Sequence, residues 1–373
     1  MTSVQLRQVV KEYDSLDQVT LTGYKNPPAL RDVSLEIQDG ETLCIVGPSG
    51  CGKSTLLKVV AGLEFPQRGR VFYGNFDMTE IKPQDRGVGM VFQDYALYPA
   101  MKGKGNLAYY FQQHEQSKEE MEARVKHTAT LMGVDFELLL GRSTDTLSGG
   151  EKQRVAIARC IVRDPLVFLM DEPIVNLDAK RREQTRMEIK KLLRKFHITT
   201  IYVTHDQQEA VFMGDRLAVM RAGVIEQVGT FDDLYYTPAN LFVATFIGTP
   251  PLNILPARID DRHVSLAGQS WALPEELAST LAPGNVRVGV RAENWQLDTP
   301  DGVLLPVTHV ERAPTERASF IHATLDGVSM VAVAPLEQPT VESVRATPDW
   351  ERVLFFAAQG EEVIHTPGTP EFF

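Results

Sequence analysis

Gly47-Pro48-Ser49-Gly50-Cys51-Gly52-Lys53-Ser54-Thr55 is the stretch on which the reading of this chain turns. It fits the spacing Gly, four residues, Gly-Lys-Ser/Thr, the loop that cradles phosphates. Residues 42–46, Thr-Leu-Cys-Ile-Val, precede it as a short apolar run of the kind that forms a buried parallel strand. Residues 56–61 can continue behind it as a helix. The glycines let several backbone N–H groups turn toward one anion, and the helix adds the positive end of its dipole. Lys53 is expected to reach the β- and γ-phosphates and the Ser54 hydroxyl to ligate Mg²⁺. At average residue frequencies the bare pattern arises by chance in roughly one chain of this length in a hundred.

The 373 residues suffice for about two domains. With 43% hydrophobic and 23% charged residues the chain reads as globular. A net charge of -11 argues against a general nucleic-acid binder, which normally carries a basic face. The three cysteines, Cys44, Cys51 and Cys160, have no metal-ligand spacing, and their odd number suggests reduced thiols in a cytosolic compartment. No run of 18 apolar residues occurs and the N-terminus has no signal-peptide core. Any membrane role is therefore expected to be peripheral.

Further along, 3–10, 29–37, 69–73 and 87–92 read as strands, and 14–28 as a polar loop or hairpin. Residues 93–106 read as an exposed loop. Helices are expected over 118–132, 154–163, 179–196 and 207–213, alternating with strands at 166–170, 198–203 and 216–220 in the α/β manner. Beyond about residue 240 the pattern changes to short alternating strands, such as 286–290 and 303–307, separated by Pro, Gly and Asp. That reads as a small all-β barrel or sandwich.

Two further motifs carry chemistry. Residues 167–171 form an apolar strand that ends in Asp171-Glu172-Pro173. After a phosphate loop, such a strand-end Asp holds Mg²⁺, and the next carboxylate is placed to polarise an attacking water. In Leu147-Ser148-Gly149-Gly150-Glu151-Lys152-Gln153-Arg154, Ser148 and Glu151 have capping-box spacing, so a helix starts there. Gly149 and Gly150 leave its first N–H groups approachable, a second anion site.

This second segment resembles the signature sequence of ATP-binding cassette (ABC) ATPases. Gln93 matches that family's Q-loop glutamine, Asn176-Leu177-Asp178 its D-loop, and His205, after Tyr202-Val203-Thr204, its switch histidine. The resemblance spans roughly 3–236. Residues 246–253, Tyr95-Ala96-Leu97-Tyr98-Pro99 and Gly289-Val290-Arg291-Ala292-Glu293 are similar to the carbohydrate-importer subfamily that serves maltose and glycerol-3-phosphate. The implied fold is an α/β phosphate-loop ATPase domain with a helical subdomain over 1–240. An all-β OB-like (TOBE-type) regulatory domain follows over 241–373.

The resemblance implies an ATPase that works as a dimer, with each ATP between the phosphate loop of one subunit and Ser148, Gly149 and Gly150 of the other, and with Asp178 of the D-loop also at the nucleotide. Gly47, Ser49, Gly50, Cys51, Gly52, Lys53, Ser54, Thr55 and Gln93 would hold the nucleotide. Ser54, Gln93 and Asp171 would hold Mg²⁺. Lys53, Gln93, Glu172 and His205 would serve hydrolysis. Tyr13 would stack on adenine, with Tyr24 as the competing candidate. Implied partners are a second ATPase subunit, two membrane permeases and, indirectly, a solute-binding protein, at the cytoplasmic side of a bacterial inner membrane. No nucleic acid is implied.

Val175 departs from the family, which usually has Ser there, and Ala100 stands where the subfamily often has His. These differences leave open a homodimer or a pairing with a different ATPase. Importers of polyamine, iron or sulfate share much of this layout. A soluble non-transport cassette protein is disfavoured because the chain has one cassette and no long inserted coil. A kinase or GTPase lacks the Ser148 site.

Overall fold

The computed structural model describes residues 2–13, 27–114, 116–133, 135–175, 177–337 and 342–369. The reading of 14–26, with Tyr24, and of Asn176 falls outside them. Two compact units emerge, 1–228 and 229–373.

In the first unit, β1 (Val4–Lys11), β2 (Leu30–Ile37), β3 (Thr42–Val46), α1 (Lys53–Ala61), β4 (Arg68–Tyr73), β5 (Phe76–Asp77) and β6 (Val88–Val91) come first. A helical segment follows: α2 (Gly103–Gln113), α3 (Lys118–Met132), α4 (Phe136–Leu140) and α5 (Gly149–Ile161), which pack on one another. Then β7 (Val167–Asp171), α6 (Ala179–Phe196), β8 (Thr199–Val203), α7 (Gln207–Met213), β9 (Arg216–Arg221) and β10 (Val224–Gly229) complete the α/β pattern. The central sheet runs β10-β9-β3-β8-β7-β6, and β3 is parallel to both β8 and β9. Its middle strands are buried on both faces, which is why they read as unbroken apolar runs. A smaller antiparallel sheet, β2-β1-β4-β5, shares a core with α1 through Val4, Leu6, Leu57 and Val60.

The helices expected over 118–132 and 179–196 are present with those bounds. Ser117 caps the first and Asp178 the second, each accepting the N–H three residues on. The expectation of a loop over all of 93–106 needs correction, because α2 begins at Gly103. Two glycines in three residues hide that start. Gly103 is required by close approach, since a Cβ there would lie 2.5 Å from the Leu139 carbonyl oxygen. Asn106, buried, accepts the Tyr98 N–H at 2.9 Å and closes the preceding loop onto the helix.

The second unit opens with two short helices, Phe231–Tyr236 and Leu241–Phe246, and is otherwise mostly β. A six-stranded sheet carries Asn253–Asp260 and Gly284–Val290 at its centre, and a five-stranded sheet carries Val303–Ala313 and Ala318–Leu325. Both sheets contribute to one core, with Val288, Phe355, Leu305 and Ile321 inside it. Trp295 is buried in that core, and Trp271 and Trp350 pack against it, 5.5 Å apart. Arg291 is buried and donates to the carbonyls of Ala244 (3.0 Å), Ile247 (2.6 Å) and Tyr235 (2.9 Å), tying the two short helices to this unit.

Candidate nucleotide site

The carboxyl ends of three adjacent strands, β3, β8 and β7, meet at one height. Ile45 lies beside Val203, and Asp171 beside Val203 on its other side. In a parallel sheet with helices on its faces this edge is where loops gather ligand-binding groups. The phosphate loop leaves β3 there. Two of its glycines are fixed by contact: a Cβ on Gly47 would sit 2.1 Å from the Met220 carbonyl oxygen, and one on Gly52 2.4 Å from that of Ala29. Gly50, by contrast, has open space but a left-handed φ of 77°. Ser49 is exposed and Cys51 buried. All three cysteines are free thiols, and burial pushes the Cys51 thiol up.

Lys53 is 6% exposed, and its Nζ donates to the Gly47 (2.8 Å) and Pro48 (3.0 Å) carbonyls. Ser54 Oγ donates to Asp171 Oδ1 at 3.0 Å, joining the loop to the end of β7. Burial pushes the Asp171 carboxyl up. A partly buried carboxylate paired with a hydroxyl oxygen is the hard, oxygen-only donor set that Mg²⁺ takes while keeping waters and phosphate oxygens. Glu172 adopts a left-handed backbone, φ 46°, which a non-glycine residue rarely does. Its N–H donates to the Val203 carbonyl at 3.0 Å, and its Oε2 lies 3.2 Å from His205 Nδ1. These two side chains form a pair beside the loop, and a carboxylate so placed can accept a proton from a water.

Tyr13, just beyond β1, is 49% exposed, its Oη is 3.5 Å from Thr55 Oγ1 beside the loop's helix, and the Lys11 ammonium lies over one face of its ring. Gln93 is exposed on the turn after β6. Ser148 caps α5, and Glu151 Oε2 accepts the Ser148 N–H at 2.7 Å. Asp178 caps α6 and is exposed.

One contact escaped the sequence. Arg159 on α5 donates to the carbonyls of Ala96 (2.5 Å) and Tyr95 (3.1 Å), so the helix that starts at Ser148 grips the loop after Gln93. Tyr95, Ala96 and Ala100 in that loop all have left-handed φ. Eleven residues are close to three helical turns, so spacing puts Arg159 on the same face of α5 as Ser148, but nothing local names the loop that this face meets. Beside it opens a groove of about 670 Å³ lined by Phe92, Ala96, Tyr98, Tyr109, Tyr110 and Arg159, among others.

Residues 30–175 match the ABC transporter family. The sn-glycerol-3-phosphate import ATP-binding protein UgpC of Cereibacter sphaeroides is 42% identical over 364 residues, 96% of this chain and 99% of that protein. The chain belongs to the ABC transporter family.

This ABC ATPase is also 43% identical over 328 residues to UgpC of Roseobacter denitrificans, covering 88% of this chain and 87% of that protein. The trehalose/maltose import ATP-binding protein MalK of Thermococcus litoralis is 50% identical over 239 residues, 62% of this chain and 64% of that one. Among solved structures, an ATP-binding cassette dimer in a post-hydrolysis state with ADP and Pi superposes with a TM-score of 0.52 and 31% identity. It covers 61% of this chain and 98% of that one. Among the described residues no helix is long and apolar enough to cross a membrane.

Proposed function

We propose that this ABC ATPase powers the import of a carbohydrate or a polyol of the glycerol-3-phosphate class. In this reading it is a dimer bound to two permease subunits at the cytoplasmic face of a bacterial inner membrane. A solute-binding protein delivers cargo outside. The observation that carries the reading is the length of the match to the C. sphaeroides glycerol-3-phosphate import protein. At 96% of this chain it extends across the ATPase unit and into the mostly β second unit, which in this reading is a regulatory domain.

Lys53 and the loop amides hold the triphosphate, and Tyr13 stacks on adenine. Ser54, Asp171 and Gln93 would hold Mg²⁺, whose charge would offset that of the phosphates. Glu172 takes a proton from a water as the water oxygen attacks the γ-phosphorus and the bond to the bridging oxygen breaks. His205 holds the γ-phosphate and Glu172 in register. Ser148, Gly149, Gly150 and Asp178 of each subunit close over the ATP of the other. The groove beside Arg159 is the permease contact.

Gly150 supports the two-subunit reading. A Cβ there would meet nothing nearer than Thr185 Oγ1 at 3.5 Å, so the fold itself has room for a side chain. In this reading the space is left for the ATP held by the other subunit. Gly150→Ala is therefore expected to leave the thermal unfolding midpoint within a degree or two while abolishing ATP-driven dimerisation, read by light scattering. Dimerisation that survives the substitution would remove Gly150 from the interface.

The importer reading is tested by capturing Glu172→Gln from native membranes with ATP and identifying what accompanies it by mass spectrometry. Two permeases and a binding protein that takes glycerol-3-phosphate or a sugar are expected, with no second ATPase. A different ATPase in equal amount would tie Val175 to a heterodimer. A binding protein for a polyamine, iron or sulfate would replace the cargo assignment. Absence of any membrane protein, where a control transporter is retained, would overturn the importer reading.

A further inference from the structure

Behind His205 lies a buried carboxyl that hydrolysis as described does not use. Glu209, 4% exposed, sits in the first turn of α7. Its Oε2 accepts the Thr204 hydroxyl at 2.7 Å, and its Oε1 accepts the hydroxyl of Tyr202. Tyr202 and Thr204 are two apart at the end of β8, so both hydroxyls point to the same face, toward α7. The Thr204 hydroxyl in turn accepts the Asp206 N–H at 3.1 Å, and Asp206 caps α7 by accepting the Glu209 N–H at 3.0 Å. The Thr204 N–H donates to the Ile45 carbonyl at 3.3 Å, at the end of the strand that leads into the phosphate loop.

Both neighbours of His205 are therefore held, one by its side chain and one by its amide, through a single hydroxyl. The carboxyl of Glu209 anchors that hydroxyl. We propose that Glu209 is a positioning residue, which acts through the Thr204 hydroxyl to fix the loop that holds His205 beside Glu172. The burial is what makes the anchor stiff: in a low-dielectric interior each of these bonds is stronger than in water and has no solvent to exchange with. Burial also pushes the Glu209 carboxyl up, against the hydrogen bonds from Tyr202 and Thr204, which lower it. His205 itself stays half exposed, so its position comes from the backbone on either side rather than from packing of its ring.

The inference rests on the catalytic placement of His205 proposed above. Its test is a pair of substitutions in the full-length chain that separate hydroxyl from shape. Thr204→Val keeps the branched side chain and removes the bond. Thr204→Ser keeps the bond and removes the methyl. Steady-state ATP hydrolysis and ATP affinity are measured for both, with Glu209→Gln and His205→Ala alongside.

Thr204→Val is expected to lower kcat about tenfold or more, the effect of a misplaced catalytic group, with ATP affinity unchanged. Thr204→Ser should stay within about twofold of the parent. Glu209→Gln, which keeps only one of the two acceptor oxygens, should give a kcat between those of the two Thr204 variants with ATP affinity unchanged, and parent-level turnover in it would remove Glu209 from the inference. Full turnover in Thr204→Val would overturn the inference. So would an equal loss in Val and Ser, a loss in Ser alone, or a fall in ATP affinity in place of kcat, since each points to packing. Full turnover in His205→Ala would instead remove the catalytic placement beneath it. An inactive His205→Ala with a fully active Thr204→Val defeats this inference alone.

Discussion

Glu172→Gln is expected to lower the rate of ATP hydrolysis about a thousandfold while ATP affinity stays within about twofold, because a positioned general base contributes roughly 10²–10⁴ in rate. Gln matches Glu in size and can keep the backbone turn. It cannot take the proton that the attacking water must lose. The residue is aimed by its backbone. A φ of 46° at the first position beyond β7 costs on the order of 1 kcal/mol, held in place by the amide bond to Val203. That turn swings the carboxylate away from the line of Asp171 and to within 3.2 Å of His205. Single-turnover hydrolysis and nucleotide binding on the same preparation check the split. A variant that hydrolyses at the parent rate would take Glu172 out of the mechanism. A variant that no longer binds ATP would make it a structural residue.

Arg86→Met is expected to cost about 3–5 kcal/mol of stability in the nucleotide-binding unit, because hydrogen bonds from a charged donor contribute about 1.5–3 kcal/mol each and all four of its bonds are lost. Arg86 is 0% exposed and, among the described residues, forms no ion pair within 4 Å. Its guanidinium spends its donors on carbonyls instead: Nη1 on Val59 (2.9 Å) and Val60 (2.7 Å), Nη2 on Thr79 (3.1 Å), Nε on Ile81 (2.8 Å). Val59 and Val60 are in the last turn of α1, whose carbonyls lack partners within the helix. The cation also sits at the negative end of that helix's dipole.

Burial lowers the Arg86 pKa, yet a guanidinium stays charged in a protein, so the cost of its desolvation is offset by these four bonds. Arg86→Lys should not rescue the loss, because an ammonium lacks the planar fork that reaches four acceptors at once. Since α1 starts at Lys53, the ATP affinity of the folded fraction should fall as well. Urea unfolding of both variants measures this. A loss below about 1 kcal/mol in Arg86→Met, the worth of one ordinary hydrogen bond, would show that the guanidinium is not the anchor of α1.

The difference between these two residues explains what was legible beforehand. Glu172 follows an apolar strand and a phosphate loop, and its role is written in local spacing. Arg86 stands in Gln84-Asp85-Arg86-Gly87, just before the strand read over 87–92, with no local pattern that marks it for burial. Only the approach of α1 from 26 residues earlier in the chain makes it the most buried charge of the unit. Arg159 is similar: its helix was expected, but its grip on the Tyr95 and Ala96 carbonyls joins segments more than 60 residues apart. Strand positions in the second unit were likewise visible as alternating runs. That Gly284–Val290 pairs with both Asn253–Asp260 and Leu354–Ala357 was not, because such pairings carry no local signal.

By itself the sequence determined the phosphate loop, the strand that ends in Asp171 and Glu172, the helix capped by Ser148, and the change of pattern after the first unit. These are local features, in which residue type and spacing dictate backbone conformation. The tertiary structure decided which strand ends lie side by side, that Ser54 meets Asp171, that Glu172 turns to His205, and that Glu209 and Arg86 are buried at all. Those contacts depend on long-range burial: a polar side chain sealed from water must find partners, and only the folded chain determines which ones are within reach.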